Sequence, residues 1–165
     1  PRVNILQPGP GVGGHCIAVD PWFIVSSAPK QAQLIRTARV VNDAKPNWVI
    51  EKVYATIGAH LSAHPEKTAA AVSLAIYGLA FKPDTDDLRE SPALEIARQI
   101  ANEHRGPLLI IEPNVDVLPE GLGTAQLVAL HDAHADVHVM LVDHKLFRAS
   151  QCPEGLTVDT RGIWS

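Results

Sequence analysis

Residues 71–92 read Ala-Val-Ser-Leu-Ala-Ile-Tyr-Gly-Leu-Ala-Phe-Lys-Pro-Asp-Thr-Asp-Asp-Leu-Arg-Glu-Ser-Pro, and the reading of this stretch decides the fold. The run from 71 to 79 is nearly continuously apolar, the pattern of a strand buried on both faces. A charged loop follows. Ser91 then suits a helix N-cap and Pro92 the first helical position, and Ala93, Leu94, Ile96, Ala97 and Ile100 lay an apolar stripe along a helix over 92–104. Further along, 108–111, 137–142 and 156–159 read as strands, with a short turn or helix at 145–148. Buried strands separated by helices predict an α/β domain with a Rossmann-like open parallel sheet. Ligands of such sheets bind beyond the carboxyl ends of the strands, which directs attention to residues 81–89, 112–114 and 159–161.

The loop at 81–90 carries Lys82 and Arg89 among Asp84, Asp86, Asp87 and Glu90. Two readings stand side by side. The cations pair with the local aspartates on a solvated loop, or Lys82 holds a sugar or phosphate as a point charge while Arg89 offers a planar fork to a ligand oxygen.

Residues 1–64 form a different unit, separated by the polar link 64–68. Pro21 opens a helical turn ahead of the apolar run 22–25. Leu34, Ala38 and Val41, then Val49, Ile50, Val53, Ile57 and Leu61, recur at spacings of three and four, predicting one helix interrupted at Pro46 or a pair of helices. So long a stripe serves core packing or a dimer interface.

Upstream of it, residues 9–20 read Gly-Pro-Gly-Val-Gly-Gly-His-Cys-Ile-Ala-Val-Asp. Glycines without Cβ leave main chain and sulfur approachable, so Cys16 reads as a reactive thiol with Asp20 four residues on. Gly9, Gly11 and Gly14 satisfy G-x-G-x-x-G, but Pro10 interrupts the turn and no acidic residue follows at the spacing a dinucleotide fold needs, so the match is coincidental. The second cysteine, Cys152, is 136 positions away and makes no metal or disulfide pattern with Cys16.

A net charge of -4 with dispersed Lys and Arg argues against nucleic acid and anionic membranes as partners, and the reading is of a cytoplasmic protein with a small ligand. No metal site is expected.

Taken together, the Gly13-Gly14-His15-Cys16 segment with Asp20, the Gly78–Lys82 strand end with Asp87, Arg89, Glu90 and Ser91, and the closing Asp159-Thr160-Arg161-Gly162 resemble the C-terminal part of the UDP-glucose/GDP-mannose dehydrogenase family. The stretch Gln7–Cys16 with Asp20–Phe23 looks most like the branch acting on UDP-N-acetylmannosamine, with the UDP-N-acetylglucosamine branch as the alternative. The resemblance implies oxidation of a sugar C6 alcohol to a carboxylate with NAD, through a thiohemiacetal and a thioester on Cys16. It implies that Asp20 orients the hydrolytic water or a base, that Arg2, Gly13, Phe81, Lys82 and Arg161 meet the UDP-sugar substrate, and that Arg89 meets the NAD nicotinamide side. It further implies that 1–64 completes a central helical dimerisation domain of a homodimer, Arg2 reaching into the partner subunit, and that 65–165 is the UDP-sugar-binding domain. A preceding NAD domain, and the catalytic lysine and asparagine of the central helix, would be missing, leaving the chain alone inactive. A non-catalytic UDP-sugar-binding module is the main rival; a cysteine hydrolase leaves Lys82 and Arg89 unexplained.

Overall fold

Prolines set the joints of the helical part. A computed structural model describes residues 7–164. In it Pro21 and Pro46 each lie in the first turn of a helix, where a missing N–H costs nothing. Helix α1 is Asp20–Ser27, α2 Gln33–Asp43 and α3 Lys45–Ala63. Only Ala44 separates α2 from α3, so the sequence at Pro46 resolves as a pair of helices with a one-residue joint.

The sheet is built from β1 (Leu74–Tyr77), β2 (Leu108–Ile111), β3 (Gln126–Leu127), β4 (Val137–Met140) and β5 (Leu156–Asp159), with α4 (Pro92–Glu103) after β1 and α5 (Lys145–Arg148) after β4. All pairings are parallel, in the order β3-β2-β1-β4-β5. Central β1 aligns Tyr77 with Ile111 on one side and Met140 on the other. The chain leaves β1 toward β2 on one side and later returns to place β4 on the other, so the strand order reverses between β1 and β4. The crevice above their carboxyl ends is the topological switch point where open α/β sheets take ligands. The expected fold class, helices followed by a Rossmann-like open parallel sheet, is the one found.

Alternation along each strand divides the core. Leu74, Ile76, Leu108, Ile110, Val137 and Val139 face α3 and α4, and Ala75, Tyr77, Ile111 and Met140 face Phe147 of α5 and Trp164. Each large aliphatic side chain buried there contributes about 1.5–3 kcal/mol. Within α3, Val49, Ile50, Val53 and Ile57 are all buried in this core. Its stripe is therefore spent on the chain's own sheet, although Trp48 of α3 stays exposed, and a further group of exposed apolar side chains lies earlier, at Phe23 and Ile24 of α1 and Leu34, Val40 and Val41 of α2.

Strand boundaries differ from the sequence reading, β4 ending at Met140 rather than at 142. Residues 69–71 form a one-turn 3-10 helix, and β1 is confined to four residues because the apolar composition of 71–79 continues into the buried loop after it. Strand β3 has only two residues, too few to leave a periodic signal.

Candidate functional site

The loop leaving β1 is closed at its neck and pinned from beneath. Ser91 Oγ donates to the Leu79 carbonyl at 2.6 Å and accepts from the Leu94 N–H at 3.3 Å, so the predicted N-cap also ties the loop's end to its start. The Phe81 N–H donates to the Asp87 carbonyl at 3.2 Å. Below, at the end of β2, Glu112 accepts the Leu79 N–H at 2.7 Å, the Ala80 N–H at 3.3 Å and the Asn114 N–H at 3.1 Å. His144, fully buried at the end of β4, lies with Nε2 3.1 Å from Glu112, while its Nδ1 accepts the Asp84 N–H at 2.9 Å. An accepting Nδ1 leaves the proton on Nε2, so the imidazole is neutral and donates to the carboxylate. Burial pushes the Glu112 carboxyl up, but the hydrogen bonds from His144 and the Leu79 N–H outweigh it and hold the group below its ordinary range.

This corrects one expectation. Glu112 does not face a ligand at the sheet edge; it is spent on fixing the loop, because two backbone N–H groups at the end of β1 need an acceptor. His138 is buried as well, lying between the Tyr77 hydroxyl at 2.8 Å and the Glu154 carbonyl at 2.9 Å.

The glycine run packs directly against this loop. Gly14 has φ +91° and donates its N–H to the Glu90 carbonyl at 3.3 Å, and a Cβ there would sit 3.0 Å from the Phe81 ring. A Cβ on Gly13 would lie 2.1 Å from the Glu90 carbonyl oxygen and 2.6 Å from Pro92 Cδ. The glycines at 13 and 14 are therefore wedges that let two chain segments touch. Between the segments lies a cavity of about 250 Å³ with Gly13, Ile17, Phe81, Lys82 and Arg161 in its lining. Four of the expected substrate contacts, Gly13, Phe81, Lys82 and Arg161, thus meet at one cavity; the fifth, Arg2, lies outside the described residues.

Arg161 is held in place from two sides. Its Nε donates to Asp143 at 2.7 Å and its Nη1 to the Pro8 carbonyl at 2.8 Å, while its N–H is fixed by Asp159 at 2.8 Å. Asp143 is buried and also receives Arg148. Lys82 is exposed, its Nζ 5.1 Å from the centre of the Phe81 ring.

Cys16 is an exposed free thiol, set in the run between two residues that line the cavity, Gly13 and Ile17. Its carbonyl accepts the Val19 N–H at 3.0 Å and the Asp20 N–H at 2.8 Å. A single turn thus links it to Asp20, the exposed first residue of α1, where a carboxylate also suits the helix dipole. Arg89 is exposed too, but its fork is not open as one reading of the loop required: Nε and Nη2 grip Asp87 at 2.9 and 2.6 Å. Those hydrogen bonds hold the Asp87 carboxyl well below its usual range and raise Arg89, to which Cys16 adds a smaller attraction. The pairing with a local aspartate is thus real, and it occupies two of the three guanidinium nitrogens.

Sequence reasoning missed Asn42, which clamps the glycine run from α2. The Val12 N–H donates to Asn42 Oδ1 at 2.9 Å, and Asn42 Nδ2 donates to the Val12 carbonyl at 3.3 Å. Thirty residues separate the pair, and nothing in a helical pattern marks a polar position as a loop anchor.

A parallel sheet with a cavity at its switch point, beside an exposed thiol on a glycine run, places the chain in the class of open α/β proteins that take ligands at that crevice. The chain belongs to the UDP-glucose/GDP-mannose dehydrogenase family: the family's UDP binding domain matches residues 75–165 and its central domain residues 1–44. It is 58% identical to the UDP-N-acetyl-D-mannosamine dehydrogenase of Yersinia pestis, over 99% of this chain and 40% of that protein. It is 50% identical to an NDP-N-acetyl-D-galactosaminuronic acid dehydrogenase of Ralstonia solanacearum, over 100% of this chain and 38% of that protein. Among solved structures, a UDP-D-ManNAc dehydrogenase from Pyrococcus horikoshii superposes with a TM-score of 0.74 at 30% identity, covering 99% of this chain and 38% of that one. The chain thus spans about two fifths of the length of the curated relatives it matches.

Proposed function

We propose that this chain is the C-terminal part of a nucleotide-sugar 6-dehydrogenase that oxidises UDP-N-acetylmannosamine to the uronate, a building block for bacterial surface polysaccharide, in the cytoplasm. Residues 1–64 belong on this reading to its central helical, dimer-forming domain and 65–165 to its UDP-sugar-binding domain. The observation that carries it is the wedging of the glycine run against the β1 loop, which sets an exposed thiol beside a cavity lined by Lys82 and Arg161.

NAD is implied by the family, and the fit of the described residues to it is limited to one edge. Gly13 has no room to spare against Glu90, and residues 7–19 are loop and turn, so the glycine run is no dinucleotide cradle. Arg89, exposed near Cys16, fits a contact with the nicotinamide side. When bound, chiefly by a preceding domain, NAD takes up the hydrides that C6 loses.

The chain's own residues do the rest. Lys82 supplies a mobile positive charge and Arg161 a fixed one to the UDP-sugar, and the Phe81 ring and Gly13 shape the wall against which the sugar lies. Cys16 as thiolate adds to C6 at the aldehyde level, forming the C–S bond of a thiohemiacetal; at the acid level the sulfur holds the acyl group as a thioester. Water then adds to that carbonyl, the C–S bond breaks, and the uronate leaves with the thiol restored. Asp20, one turn away, orients that water. Backbone N–H groups of the run are suited to the developing oxyanion.

The test is the full-length protein carrying this chain, assayed with UDP-N-acetylmannosamine and UDP-N-acetylglucosamine side by side. The reading expects NADH with the manno epimer and none after Cys16→Ser. A preference for the gluco epimer assigns the alternative substrate, and unchanged turnover in Cys16→Ser removes the thiol from the mechanism. The chain by itself should give no NADH.

A further inference from the structure

We infer that Asn42 is a positioning residue for the Cys16 loop, acting from behind the run without touching substrate; the inference rests on the proposed role of Cys16. Beyond the Arg161–Pro8 contact at its start, the loop that carries the thiol is held from two sides around Val12–Gly14. In front, the Gly14 N–H reaches the Glu90 carbonyl at 3.3 Å. Behind, Asn42 takes both polar groups of Val12, accepting its N–H at 2.9 Å and donating to its carbonyl at 3.3 Å, in the manner of a neighbouring strand. An amide is the side chain that can do both at once, offering an acceptor and two donors on one planar group. Asn42 Nδ2 has a further acceptor, Asp43 Oδ1 at 3.2 Å, which fixes the orientation of the amide.

The two faces of Val12 make the placement specific. Val12 lines both the 250 Å³ cavity and a separate crevice of about 520 Å³ between the helices and α4, whereas Asn42 lines only the crevice. Arg39 stands beside it, buried, with Nη1 3.5 Å from the same Val12 carbonyl and Nη2 on Asp43 at 2.5 Å. Val12's carbonyl thus has two donors, while its N–H depends on Asn42 alone among the bonds described. The acceptor of Asn42 is therefore the irreplaceable half of the clamp.

Because the Phe81, Lys82 and Arg161 contacts lie off the clamped run, with Gly13 alone upon it, loss of the clamp should misplace the sulfur with little loosening of the nucleotide. A displacement of about 1 Å at a reacting atom costs up to about 100-fold in rate. In the full-length protein, Asn42→Ala is expected to lower kcat by at least about 10-fold with KM for UDP-N-acetylmannosamine within about twofold, in line with that sensitivity. Asn42→Asp keeps the acceptor for the Val12 N–H and should recover most of the loss. Thermal melting of both variants, read in parallel, removes any unfolded fraction from the rates. A kcat for Asn42→Ala equal to wild type, a rise in KM with kcat intact, or equal losses in the Ala and Asp variants would each overturn the inference. Cys16→Ser separates the two levels. If it retains turnover, the proposed mechanism fails; if it is inactive while Asn42→Ala is fully active, only the clamp fails.

Discussion

Replacing Gly13 by alanine adds one methyl group where the structure has least room. The new Cβ would lie 2.1 Å from the Glu90 carbonyl oxygen and 2.6 Å from Pro92 Cδ, and neither neighbour is the end of a flexible side chain. Ordinary contact begins at 3.4 Å, so the glycine run and the Glu90–Pro92 segment must separate by about 1.3 Å. Overpacking of this kind costs about 1–3 kcal/mol, and the separation opens the cavity wall that Gly13 shares with Phe81 and Lys82. Since misplacement of reacting groups by about 1 Å can cost 100-fold, kcat/KM of the full-length protein should fall by about that factor. The sheet core lies on other elements, so melting of the UDP-binding part should shift by only a few degrees. Steady-state kinetics and calorimetry on one preparation read both quantities. Activity within about threefold of wild type would refute the claim that close packing of the two motifs builds the site.

Other outcomes follow from the same coordinates. Gly58, in α3, has nothing within 4 Å of an added Cβ, so Gly58→Ala should stabilise by about 1 kcal/mol in urea denaturation through helix propensity alone. Asp136 is pushed up by burial, but hydrogen bonds from Lys67 at 2.6 Å and Ser73 at 2.9 and 3.0 Å lower it further, to about 2. A depressed carboxyl contributes stability above its unfolded value near 3.8 that is lost as pH falls toward 2; Asp136→Asn should flatten this part of the stability–pH curve, and an unchanged slope would discard the assignment. Glu112→Gln removes the charge that His144 and the Leu79, Ala80 and Asn114 N–H groups address, and should cost about 1.5–3 kcal/mol by chemical denaturation.

How much of this could be read from the chain depended on how local each cause was. The β1 strand, the Ser91-Pro92 helix start and the apolar stripe of α4 follow from neighbouring residues, and all are in the structure. The reach of β1 was overread because apolar composition reports burial, and Leu79 and Ala80 are buried in a loop rather than in the ladder. The glycine run was legible as a place where main chain meets something closely. That it meets Glu90 and Pro92, some eighty residues on, is a tertiary fact that no spacing encodes. Asn42 and His144 stayed hidden for the same reason, since each serves a backbone group thirty or sixty residues away. The stripe of α3 is committed to the sheet, and the exposed apolar side chains of the helical part are those of α1 and α2 together with Trp48 of α3.

On the proposed mechanism the thiol of Cys16 carries the sugar acid before its release. This is tested most directly by acid-quenching the full-length protein during turnover of UDP-N-acetylmannosamine and mapping its peptides by mass. The account predicts a substrate-derived acyl group on the peptide containing Cys16, removable by hydroxylamine, and none on the equally exposed Cys152. An unmodified Cys16 together with full turnover by Cys16→Ser would contradict it.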